Sequence, residues 1–227
     1  MPDRRSPMRV RLVQLLPMLA IFLLAPGKLF AQSVTAEAGN LFYRPSASAA
    51  PRQLTTTGLD SEPVLSPDGR TIAFIRGTPG DSVDTVLGRE EGTSLWIVGV
   101  DGSGARMLVR GRSSETPSEA LAMLQSPAFS PDGQRIYFLS AGWATSGAVH
   151  VVDVATGAEQ FLAPGNSLEV IPSGDYAGFL LVSQHRNFLA GGSYDWYWLV
   201  SPEGREIDPV GEDEAALEEF RAMYVEP

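Results

Sequence analysis

Apolar and polar residues alternate in short bursts along most of the chain, and two of these bursts are near copies of each other. Ser61-Glu62-Pro63-Val64-Leu65-Ser66-Pro67-Asp68-Gly69-Arg70-Thr71-Ile72-Ala73-Phe74-Ile75 lines up with Gln125-Ser126-Pro127-Ala128-Phe129-Ser130-Pro131-Asp132-Gly133-Gln134-Arg135-Ile136-Tyr137-Phe138-Leu139. A looser third copy starts at Leu168-Glu169-Val170-Ile171-Pro172-Ser173-Gly174-Asp175-Tyr176 and continues to Val182. In each copy a short strand meets a turn and a longer apolar strand leaves it, the pattern of an antiparallel pair. Two further strands follow each pair: 95–100 and 105–109, then 149–154 and 159–162, then 196–200 and 205–208. The pattern therefore predicts an all-β chain that repeats a four-stranded unit three times between residues 61 and 210.

The Ser-Pro-Asp-Gly turn has a mechanism. Proline presets φ at the first central position, aspartate suits the second, and glycine accepts the left-handed conformation that closes the hairpin. Pro67, Asp68 and Gly69, with Pro131, Asp132 and Gly133, are thus structural turn residues. A metal-binding role for the two aspartates would need further carboxylates converging from elsewhere, and none is signalled, so no metal site is expected. Two stretches change to helical spacing. Thr116-Pro117-Ser118-Glu119 is a capping box that predicts a short helix over 120–124, and Leu217, Phe220 and Tyr224 form the apolar stripe of an acidic helix within 211–227.

Arg52-Gln53-Leu54-Thr55, followed by Ser61-Glu62-Pro63, Ser66-Pro67-Asp68-Gly69, Ile72-Ala73-Phe74 and Leu95-Trp96-Ile97 with Asp101-Gly102, resembles the blade repeat of TolB-like β-propellers. The resemblance covers about residues 52–210. It implies a partial β-propeller of about three four-stranded antiparallel blades. The same blade occurs in propellers attached to serine peptidases of the prolyl-oligopeptidase type, so it speaks for fold and leaves function open. Propellers close with ~4 to 8 blades. Three blades leave two ends to be covered, by an open array, by a degenerate fourth blade drawing strands from 32–60, or by pairing of two chains into a six-blade ring.

Composition adds location and partners. Arg4, Arg5, Arg9 and Arg11 precede an apolar run from Leu12 to Ala25, and Leu29-Phe30-Ala31 follows it. This is the layout of a secretory signal peptide over 1–31. The run is shorter than the ~20 apolar residues that span a bilayer, so no stable membrane span is expected after cleavage. The mature chain is expected to be periplasmic or secreted. With no cysteine, it stands on packing without disulfides. Loss of five basic residues and Asp3 with the leader takes the formal net charge from −10 to −14. That surface repels nucleic acid and anionic lipid, which leaves a protein partner in the cell envelope or self-association.

Strand direction places the tight turns on one side of the blades and the longer segments 77–93, 110–125 and 184–193 on the other, where binding residues usually gather. Within the last of these, His185, Arg186, Asn187 and Phe188 combine a titratable ring, hydrogen-bond donors and an apolar anchor beside the flexible Gly191-Gly192 pair, and they are the candidate binding residues. The bland reading has Phe188 and Leu189 plugging the ring while His185 and Arg186 sit in solvent. Aligning third strands on their following turns puts Trp96, His150 and Trp196 at one blade position, which reads as packing between blades and places His150 in the core. No nucleophile elbow, zinc-protease pair or phosphate loop occurs, so no catalytic residue and no cofactor is assigned. The leading expectation is a protein-binding or scaffold module. An accessory propeller or hydrolase of the peptidase-associated type, and a structural homodimer, are the alternatives.

Overall fold

The computed structural model describes residues 32–86 and 88–225. The expected signal peptide lies outside the described residues. The first sheet has three strands, β1 (Ser33–Glu37), β2 (Asn40–Arg44) and β3 (Arg52–Gln53), in sequence order. Three four-stranded antiparallel sheets follow. Blade 1 holds β4 (Asp60–Leu65), β5 (Thr71–Thr85), β6 (Gly88–Gly99) and β7 (Arg106–Arg110). Blade 2 holds β8 (Gln125–Phe129), β9 (Arg135–Ser140), β10 (Ala148–Asp153) and β11 (Glu159–Pro164). Blade 3 holds β12 (Ser167–Val170), β13 (Leu180–Asn187), β14 (Ser193–Val200) and β15 (Glu206–Gly211), and helix α1 (Glu214–Tyr224) follows it.

The turns between first and second strands form a small hydrogen-bonded cage. Ser66 Oγ donates to Asp68 Oδ1 at 2.6 Å, while Asp68 Oδ1 accepts from Arg70 N and Ser66 Oγ accepts from Thr71 N. Ser130 and Asp132 repeat these contacts, with Gln134 N donating to Asp132 and Arg135 N to Ser130. The serine hydroxyl, and then the backbone amide, hold each aspartate below the usual carboxylate range. Gly69 and Gly133 sit at φ 70° and 71°, where a side chain is strained. Gly69→Val and Gly133→Val are each expected to lower stability by about 1–3 kcal/mol, read as a fall in the urea midpoint. Unchanged midpoints in both would show that these turns tolerate a β-branched residue.

The core lies between the sheets. Leu41 and Tyr43 of the first sheet pack on Ile72, Phe74 and Val98 of blade 1. Ala73, Leu95 and Val109 of blade 1 pack on Phe129, Ile136, Phe138 and Val152 of blade 2. Tyr137, Val149 and Val151 meet Leu180, Val182 and Val200 of blade 3. On the far face of blade 3, Leu217 of α1 covers Leu181 and Leu199. Asp213 caps this helix by accepting from Ala216 N at 3.0 Å. In the first sheet, Val34, Leu41 and Tyr43 take the core side, so the alternation of β1 and β2 turns Ser33, Thr35, Glu37, Asn40 and Arg44 to the other face, with Phe42 among them. One largely polar end face and one helix-covered end face are how repeat arrays shield their termini.

Two of the longer segments between strands, 77–93 and 184–193, are largely strand themselves. β5 and β6 continue as a paired hairpin arm to Thr85↔Gly88, and β13 and β14 continue to Asn187↔Ser193. Regular alternation fades in both, because a hairpin that projects past its neighbours has no continuous core face to impose it. The helix expected over 120–124 does not form. One turn closes at Thr116, after which Leu121 pairs with Arg112, and Leu121, Ala122 and Leu124 are buried. Tertiary burial of that run overrides its capping box.

Candidate functional site

Register decides which side chains share a face. Phe74 pairs with Trp96, Phe138 with His150 and Val182 with Trp198, and a bulge on the fourth-strand side precedes each of the three third-strand residues. The repeated flat residue in blade 3 is therefore Trp198, and Trp196 lies one step further out along the hairpin. The turns agree: Gly102 N donates to Gly99 O and Gly204 N to Ser201 O, which makes Gly99 and Ser201 equivalent, each three residues after Trp96 and Trp198. Trp96, His150 and Trp198 all face the preceding sheet. Trp96 joins the blade 1 cluster, the His150 ring stacks on Phe138 at 5.4 Å, and Trp198 packs against the blade 3 cluster.

His150 is fully buried and belongs to a relay that sequence reading missed. Its Nε2 lies 3.0 Å from Ser140 Oγ and its Nδ1 lies 2.6 Å from Glu159 Oε1. An ionised carboxylate only accepts, so Nδ1 carries the proton in that contact. Arg112 donates to the other oxygen of Glu159 at 3.3 Å. Burial by itself pushes the Glu159 carboxyl up, but the His150 hydrogen bond and the charges of His150 and Arg112 outweigh it and hold the group below its ordinary range. The spacing is that of a serine nucleophile, base and orienting acid. Ser140 is nevertheless 2% exposed, and its hydroxyl is enclosed by the carbonyls of Ala120 and Ala141 at 3.2 and 3.1 Å. The adjoining groove, about 490 Å3 in volume, reaches Arg112, Leu121 and Glu159 and stops short of Ser140 and His150. The relay thus ties segment 112–122 to blade 2. The signal for it was a histidine inside the apolar run 149–152, which needed partners on flanking strands.

The candidate binding residues separate onto two faces of the β13–β14 hairpin. His185 sits on one, paired across the ladder with Asp195, its Nδ1 2.9 Å from Asp195 Oδ1. Arg186 sits on the other, with its guanidinium 3.9 Å from the centre of the Trp198 ring and hydrogen bonds to Gln184 and Glu206. Its Nε and one terminal nitrogen are thus engaged within the blade. Asn187 is exposed at the last ladder pair, Asn187↔Ser193. Phe188 is 56% exposed and its ring lies 4.6 Å from that of Tyr194, while Leu189 is fully exposed at the tip. Neither plugs a ring of blades. Tyr194 in turn meets Trp196 edge-on at 6.3 Å, so an aromatic row runs down the hairpin from its tip. Among the described residues there is no cluster of three or more His, Cys, Asp or Glu arranged to hold a metal ion, and no helix is long and apolar enough to cross a membrane.

Four antiparallel sheets stacked in this way define a partial β-propeller, and solved structures agree on the fold. The chain is similar to a putative TolB from Agrobacterium tumefaciens, with a TM-score of 0.51 and 14% identity over 80% of this chain and 58% of that one. It is similar to dipeptidyl peptidase 4 of Porphyromonas gingivalis, with a TM-score of 0.53 and 11% identity over 80% of this chain and 31% of that one. An oligogalacturonate lyase from Vibrio parahaemolyticus gives a TM-score of 0.50 and 13% identity, covering 77% of this chain and 43% of the other. The chain spans between about a third and three fifths of the length of these structures. No protein-family model matches the sequence, and no curated protein matches it either.

Proposed function

We propose that this chain is an exported protein-binding module of the cell envelope, and that it meets its partner through the tip of the β13–β14 hairpin. The observation that carries the reading is Phe188 with Leu189, a large exposed apolar pair at the end of a laddered hairpin. Scattered apolar residues on a surface are ordinary, but an aromatic row ending in two exposed apolar side chains, with acidic Asp195 on the opposite face of the strand, has the residue types of an interface anchor. The N-terminal charge and hydropathy pattern supports export.

Phe188→Ala is expected to weaken partner binding by about 2 kcal/mol, roughly 30-fold in Kd, while leaving thermal unfolding unchanged. A photo-crosslinker placed at Phe188 in the native envelope should join a partner that the same group at Asp68, on the short-turn side, does not. Crosslinks from Asp68 alone would sink the proposal. Arg186→Ala behaves differently, because the guanidinium stacks on Trp198 within the hairpin and ties the hairpin to Glu206 of β15. It is expected to lower the melting temperature as well as affinity.

The relay of Ser140, His150 and Glu159 is the observation that favours a hydrolase as a second reading. A fluorophosphonate probe tests it. The enclosure of the hydroxyl predicts no labelling of Ser140, and stoichiometric labelling would replace the binding reading with a catalytic one.

A further inference from the structure

The two long hairpins share a plan and differ in what covers their outer edge. In blade 1 the chain goes past the last ladder pair, Ser94↔Arg110, and Gly111 N donates to Thr93 O at 3.0 Å. The following residues stay on this arm. Ser113 Oγ accepts from Asp84 N at 2.9 Å, Thr93 Oγ1 accepts from Leu124 N at 2.8 Å, and Val83 is buried. Blade 1 thus receives a looped segment of its own chain as an edge cover.

Blade 3 has the same edge without the cover. Its fourth strand ends on Tyr197↔Gly211 and the chain leaves for α1, so 193–196 of β14 pair with β13 alone. Ser183 O accepts from Asn166 N on the far side of β13, so Ser183, and by alternation His185, direct their backbone groups away from β14. Asp195, opposite His185, then directs its own N–H and C=O outward, at the open edge. Measured from the bulges before Trp96 and Trp198, Asp195 holds the position of Thr93, whose carbonyl Gly111 satisfies in blade 1. Beside this edge, Gln184 is 2% exposed, and its amide nitrogen and the indole nitrogens of Trp196 and Trp198 have no hydrogen-bond partner among the described residues. The charge around it is negative. Asp195 is 66% exposed, and past the last ladder pair, Tyr197↔Gly211, the chain continues through Glu212 and Asp213 to Glu214, which pairs with Arg221.

We infer that the open edge of β14 takes, by strand addition, an extended segment of a partner protein in which lysine or arginine alternates with apolar residues. Backbone groups at Asp195 would supply the ladder bonds, the aromatic row would take the apolar side chains, and the acidic face would take the basic ones. The inference rests on the protein-binding reading above and adds the mode and the chemistry of the partner.

The probe is a synthetic octapeptide alternating lysine and valine, compared with one bearing glutamate for lysine and one N-methylated at alternate amides. The lysine peptide is expected to slow hydrogen exchange of the Asp195 amide by at least about 10-fold, and the other two peptides to leave it unchanged. Asp195→Pro removes the outward N–H without taking a bond from the β13 ladder and should abolish the protection of neighbouring residues. The N-methylated peptide makes the same test on the unaltered protein, so the result does not depend on that variant folding. Equal binding of the N-methylated peptide, protection confined to another part of the chain, or no binding of the lysine peptide would each overturn strand addition. Crosslinking from Phe188 that persists alongside such a result leaves the hairpin tip as a binding site and removes only this mode. Loss of both removes the binding reading itself.

Discussion

Asp60→Ala is expected to destabilise the protein by about 3–5 kcal/mol, the largest effect foreseen for any single residue. Asp60 opens β4 with its side chain fully enclosed, and it accepts two hydrogen bonds from Arg76, at 2.5 Å from Nε and 3.0 Å from the terminal nitrogen. The guanidinium is itself only 16% exposed, and it lies 4.5 Å from the Trp96 ring and 5.2 Å from that of Phe74. Removing the carboxylate leaves that cation among aromatic rings with no counter-charge, which is why the cost exceeds the net worth of the pair. A double replacement, Asp60→Leu with Arg76→Leu, removes both charges and should recover most of the loss. Chemical denaturation of both variants and the parent separates the two outcomes. A double variant no more stable than Asp60→Ala would mean that hydrogen bonding or shape, rather than stranded charge, sets the cost.

The second large effect concerns pH. Glu159→Gln should cost about 1–3 kcal/mol at neutral pH, because the His150 ring and Arg112 lose a charged acceptor in a largely buried setting. The folded protein holds the Glu159 carboxyl below its ordinary 4.5. Its stabilisation is therefore complete above the unfolded-state pKa and is lost as pH falls through the lower, folded value. The gap in unfolding free energy between parent and variant should be full at about pH 6 and should close in the acid range below about pH 4. A gap independent of pH would show that Glu159 acts by packing alone. The same experiment reports on segment 112–122, since Arg112 also donates to the Glu119 carbonyl and Ser140 Oγ lies 3.2 Å from Ala120 O.

Both predictions rest on buried polar groups, and these were the least legible part of the sequence. Asp60 and Arg76 stand 16 positions apart on neighbouring strands, and Ser140, His150 and Glu159 occupy three strands of blade 2. Nothing in local spacing announces such a set, because each member is chosen by what faces it across a ladder or from the next blade. His150 could be placed in the core because apolar residues flank it on β10, but its partners could not. The binding candidates divided in the same way. Phe188 was legible as an apolar residue at a glycine-bearing bend. That Arg186 would be folded back onto Trp198 depended on register.

Local order along the chain was enough for the repeated four-stranded unit, its Ser-Pro-Asp-Gly turns, the C-terminal helix and the likeness of the blades to those of TolB-like propellers. All of these are written in neighbours a few residues apart: alternation sets the strand, proline and glycine set the turn, and a three- and four-residue apolar spacing sets the helix. Contacts between distant segments were needed to make residues 33–53 a short extra sheet, to turn 77–93 and 184–193 mainly into hairpin arms, and to leave 120–124 as buried coil. They also made Trp198, and not Trp196, the ring that packs between blades. One cause is common to these cases. Edge pairing, register and burial are settled by which strand arrives alongside, and in an array of stacked blades that neighbour lies tens of residues away along the chain.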